Sequence, residues 1–154
     1  MAERPILHVD GPLAAIAEHG TGARSMSVYF IVGDREIWNP ASRAGVLFYD
    51  QMRTLEKLAE HPCGLTSSVS DEYAIDPRLL TAFVDAVFNY LGHTQHAVLL
   101  ALVENVLAVA LGAEARVHGA WRVAPERFHA VLEQARVLER TFAGGMPAPN
   151  ASLE

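Results

Sequence analysis

A chain of 154 residues, 51% hydrophobic and only 19% charged, has the length of one domain and too much apolar side chain to stay unfolded. Its formal charge of −6, with Lys57 the only lysine among 12 cations, argues against a protein built to grip a phosphate backbone. Cys63 stands alone, which excludes an internal disulfide and gives no support to a zinc site.

The same apolar excess favours a homo-oligomer, most simply a two-fold homodimer. No nucleic acid, membrane or cofactor is expected as a partner. The opening residues, MAERPILHVDG, lack a basic stretch followed by a sustained apolar one, so a cytoplasmic location is expected.

Residues 1–25 read as an N-terminal arm. Pro12 sits where a short helix, Leu13 to His19, could begin, and Gly20 follows its end. A single helical domain carrying a β-hairpin is expected over residues 26–145, and residues 146–154 read as a flexible tail.

Val28 to Trp38 is the clearest strand signal, two β-rich runs around Gly33-Asp34, a pair suited to a tight hairpin turn. A lone hairpin is marginal in water, so it must lie on helices or recruit another strand. Asp71 to Ile75 is the candidate for a short third strand.

Asn39-Pro40 supplies a helix start, asparagine as cap and proline in the first turn. The following apolar residues, Ala44 through Leu58, keep helical spacing, and His61-Pro62 ends the helix. After a loop through Cys63 and Ser68, Asp76-Pro77 repeats the start signal. Leu80, Phe83, Val84, Val87 and Leu91 then give a second helix its core face.

His93 to Gly112 is the stretch the rest must surround, since only Glu104 and Asn105 interrupt the apolar run from Ala97 to Leu111. That run, about 15 residues, is short of the roughly 20 that cross a bilayer. A buried central helix ending at Gly112 is expected. Residues 113–123 read as a loop, with a strand possible around Arg116 to His118, and Pro125 opens a last helix closed by Gly144-Gly145. The fold class is therefore α+β, mainly α: an antiparallel bundle of about four helices with an N-terminal β-hairpin.

Candidate chemistry concentrates on few residues. His96, Leu100 and Glu104 are spaced by four and share a helix face; His96 and Glu104, about 12 Å apart, could bracket a ligand. Glu104 is either a general acid or base tuned by burial or a core acid satisfied by an arginine. His93 and His96 have the spacing of two metal ligands, but a site needs a third, so surface or interhelical histidines are the default and no metal is expected. Asp71 and Glu72 are loop charges or an acidic rim for an amine-bearing ligand. Trp38 is a core anchor or a stacking wall, and Arg35 and Glu36 read as surface charges. Phosphate-binding glycine loops, a dinucleotide fingerprint and a nucleophile elbow are all missing, so an enzyme here would work by acid–base chemistry and positioning.

YFIVGDREIWNPAS at residues 29–42 and DEYAIDP at 71–77 resemble an uncharacterised family of small actinobacterial proteins, a domain of unknown function. There a hairpin runs into Trp-Asn-Pro-Ser and an acidic segment precedes an apolar helix. Trp38, Asn39 and Pro40 match, whereas Ala41 stands in place of serine; the likeness covers about residues 27–112 and implies no activity. In size and layout the chain is also similar to the small accessory proteins of cinnamycin- and duramycin-type lanthipeptide pathways, which form lysinoalanine from a lysine amine and a dehydroalanine.

That second similarity implies a cofactor-free cyclase of natural-product biosynthesis acting on a peptide-like substrate. From residue chemistry alone, Glu104 or Glu72 would take the proton or anchor the ammonium, His96 would shuttle it, and Trp38, Asp71 and His93 would line the substrate. The rival expectation is a non-catalytic ligand-binding or immunity-like interaction protein.

Overall fold

The computed structural model describes residues 27–68 and 71–142. The expected arm, its short helix, the closing glycines and the tail lie outside these residues.

The hairpin forms as its pattern predicts. Strands β1 (Tyr29–Val32) and β2 (Arg35–Trp38) pair antiparallel across a turn in which Gly33 takes φ 58°. The register shifts by one residue between Phe30 and Ile31, so Phe30 pairs with Trp38 and Ile31 with Glu36. The expected third strand is present as β4 (Glu72–Ile75), parallel to β1. A fourth, β3 (Leu65–Ser67), falls in what reads as loop and pairs antiparallel with β4. The sheet order is β2-β1-β4-β3.

One face of this sheet is the floor of the core. Phe30, Tyr73, Ile75 and Leu65 are buried, while Tyr29, Thr66 and Ala74, at alternate positions, are exposed. Helix α1 (Ser42–Ala59) lies close to β1 because Gly45 leaves room for it. A Cβ there would stand 2.1 Å from Val28 Cγ2 and 3.1 Å from Pro40 Cγ. The start of α1 corrects one expectation: Ala41, not Asn39, is the N-cap, and no side chain caps the helix. Asn39 Oδ1 is buried without a hydrogen-bond partner among the described residues. The second start signal works as expected. Asp76 caps α2 (Pro77–Gly92), accepting from the Arg78 and Leu79 amides at 2.9 and 3.0 Å.

The central helix, α3 (Ala97–His118), differs at both ends from its expectation. His93 and His96 lie outside it. Gly112 does not stop it; it is a buried helical residue where α4 (His129–Phe142) comes close, an added Cβ meeting Phe142 at 3.2 Å. The left-handed cap is Gly119, at φ 69°. Residues 113–118 are therefore helix, neither loop nor strand.

At 22 residues α3 is long and apolar enough to cross a membrane, so run length is no argument against a span. Burial is the better guide. Half of its most apolar window is buried inside the protein, packed by α1, α2, α4 and β2, as in a core helix.

Arginines tie the helix ends to the sheet and turns. Arg35, far from idle, donates to the Arg116 and Val117 carbonyls at 3.2 and 2.6 Å, at the C-terminal turn of α3. Arg116 returns a bond to the Ile37 carbonyl at 3.1 Å and pairs with Glu139 at 2.6 Å. Arg127 closes α2 through the Gly92 and Thr94 carbonyls.

Candidate functional site

The sheet face turned away from the helices carries the most distinctive polar arrangement. A two-residue side-chain period puts Tyr29 and Ile31 of β1 on this face. The paired registers set Glu72 beside Tyr29 and Glu36 beside Ile31. With Asp34 and Gly33 of the turn they line a cleft of about 410 Å³. Three carboxylates and one phenol thus line one cleft, with no cation among its described lining residues.

Glu36 makes the cleft unusual. Its Oε1 is buried and accepts no hydrogen bond from the described residues. A buried acceptor without a donor costs about 1–3 kcal/mol, more when charged. The three acids do not close on a single point: among the described residues no group of three or more His, Cys, Asp or Glu is placed to hold a metal ion. A spread acidic cleft suits an ammonium or a larger organic cation.

Of the residues singled out from sequence, Glu72 is in this cleft and Asp71 is next to it, exposed, its carbonyl accepting from the Tyr29 amide at 2.8 Å. The others are elsewhere. His96 is the exposed N-cap of α3, its Nδ1 accepting from the Leu99 amide at 3.3 Å. His93 ends α2, its Nδ1–H donating to the Asn89 carbonyl at 2.7 Å. These histidines terminate helices.

Glu104 is half-buried on α3, with no hydrogen bond or ion pair among the described residues. Twelve positions, about 18 Å of helix, separate it from the Arg116 turn that touches the sheet. It is not among the residues that line the cleft. Trp38 is anchored in the core: it stacks on Phe30 and Phe142 at 5.1 and 4.6 Å and meets Phe48 edge-on at 5.5 Å.

Sequence reading missed Asp34, Glu36 and Tyr29 as companions of Glu72. Counting by twos back from the Gly33-Asp34 turn would have placed Tyr29 and Ile31 on one face. The one-residue shift that sets Glu36 beside Ile31, and the parallel pairing that brings Glu72, have no local signal.

A second carboxylate group, in the helical core, has no local sequence signal either. Glu114, only 4% exposed, is the core acid. Arg122 Nε donates to its Oε2 at 2.7 Å and Nη2 to its Oε1 at 2.5 Å, while Nη1 reaches Asp85 Oδ1 at 2.5 Å. Burial alone would lower the Arg122 pKa, but the bonds to Glu114 and Asp85 outweigh it and raise it. Its guanidinium also lies 5.4 Å over the Phe88 ring. This cluster is saturated and structural.

Near the α1 exit, burial alone would raise the Glu56 carboxyl, but hydrogen bonds from Cys63 and from Arg53 overcome it and hold the group below its usual range. Burial pushes the Cys63 thiol up to about 12, with the Glu56 carboxylate adding to the rise; this thiol is no nucleophile.

Fold and cleft together define a small, mainly helical α+β domain whose open sheet face is acidic. The chain belongs to the family of unknown function DUF6086, which matches residues 26–144. No curated protein and no solved structure matches it.

Proposed function

We propose that this protein binds an amine-bearing, peptide-like molecule in the Glu36–Glu72 cleft and promotes a cofactor-free ring closure in natural-product biosynthesis. The observation that carries the reading is the lining of one cleft by Asp34, Glu36 and Glu72 with no cation among its described lining residues. The substrate's lysine ammonium would pair with the carboxylates that line the cleft.

Lysinoalanine formation is the most concrete version. A free lysine amine has a pKa of about 10.4 and must lose a proton before it attacks. Glu72 takes that proton, the nitrogen bonds to the β-carbon of a dehydroalanine, and the alkene pair moves to the α-carbon, which is then protonated. No atom is gained or lost. Holding amine and alkene together can supply about 7–11 kcal/mol of the barrier.

The position of His96 and Glu104 away from the cleft favours a second reading, binding without chemistry, as in an immunity-like protein. One assay separates the two. A peptide carrying one lysine and one dehydroalanine keeps its mass on closure but loses reactivity toward an added thiol. The catalytic reading expects that loss to speed up with wild-type protein and to slow at least a hundredfold with Glu72→Gln. Binding of the peptide with no loss of thiol reactivity leaves the second reading and removes the first.

A further inference from the structure

The helical side of the molecule presents a different surface. Leu102 and Val98 of α3 are 69% and 62% exposed, and Leu47 of α1 and Val137 of α4 are each 58% exposed. Between α1 and α3 runs an apolar groove of about 490 Å³, walled by Leu55, Leu58, Leu99, Val103 and Val106. Its only charged lining residue is Lys57. From Ala97 to Val103, α3 has no charged residue at all. We infer that this open face of α1, α3 and α4 is the contact between two copies of the chain.

Shape supports a second copy over an unrelated partner. Val98 and Leu102, four apart, form a ridge on α3 directly beside the groove, so one face carries both a projection and a recess. A two-fold axis running along α3 between them lays each ridge over the other copy's groove, the self-complementary arrangement a homodimer needs.

Size sets the strength. The face spans about 20 Å of helix, and three helices packed about 10 Å apart make it roughly 30 Å wide. That is on the order of 600 Å² per copy, or about 1,200 Å² in all, the lower bound for a specific interface. A contact of that size is expected to depend on concentration. A bilayer surface is the poorer occupant: an apolar helix face that docks on anionic lipid is rimmed with lysine and arginine, whereas Lys57 is the groove's only charge in a chain of net −6.

Sedimentation velocity of the full chain from about 5 to 500 μM tests this. A monomer–dimer equilibrium is expected, weakened at least tenfold by Leu102→Glu and by Val98→Glu. Both side chains already face solvent, so the variants keep the wild-type circular dichroism. A wild-type chain monomeric throughout overturns the inference, as does a dimer that neither substitution weakens. Capture by anionic vesicles without self-association overturns it too.

Discussion

Two groups of carboxylates in this small domain are in opposite states. Glu114, in the helical core, has each oxygen answered by Arg122, and the other arm of the same guanidinium takes Asp85. Glu36, on the sheet, has an oxygen just as hidden from water and no donor for it, with Asp34 and Glu72 as neighbours in the same cleft. A saturated buried charge is architecture. A buried acceptor with no donor costs stability instead.

Removing the arginine makes the first group resemble the second. Arg122→Ala strands Glu114 in the core and is expected to lower unfolding free energy by about 3–5 kcal/mol in urea titrations. A smaller loss would mean that water reaches Glu114. Glu114→Gln keeps one acceptor for Arg122 and gives up the charge-assisted pair, so a loss of about 1–3 kcal/mol is expected.

The same change in the cleft is expected to run the other way. Glu36→Gln removes a charge that has no partner and two like neighbours, so stability holds or rises by up to about 1 kcal/mol. A loss comparable to that of Glu114→Gln would show that Glu36 is held by something in the fold, and the contrast would fail.

Glu56 gives the finest distinction. Its folded pKa lies below the ordinary 4.5, so its contribution is full above that value and disappears as pH falls through the lower, folded value. Glu56→Gln should therefore destabilise at pH 7, and the gap to wild type should close on acidification below pH 4.5. A gap of equal size at pH 7 and pH 3 would assign the effect to packing.

Local chemistry made much of the fold legible. The Gly33-Asp34 hairpin and the Asp76-Pro77 helix start each rest on residues within a few positions of one another. What escaped depends on partners distant in sequence. Gly112 reads as a stop until α4 is known to press against it, and β3 is a strand only because β4 runs beside it. The site divides in the same way. Glu72 was visible as part of an acidic segment, but pairing with β1, more than forty residues earlier, gives it Tyr29 as a neighbour. Glu104 drew attention as the acid in the apolar run, while the acid fully buried in the helical core is Glu114, ten positions further on, in a stretch that reads as loop.

The most direct test of the central claim is a calorimetric titration of wild type and Glu36→Gln with Nα-acetyl-lysine methylamide. Saturable binding by wild type is predicted, at least tenfold weaker in the variant, a difference of about 1.4 kcal/mol. No saturable binding up to about 10 mM, or equal affinity in both proteins, would contradict it.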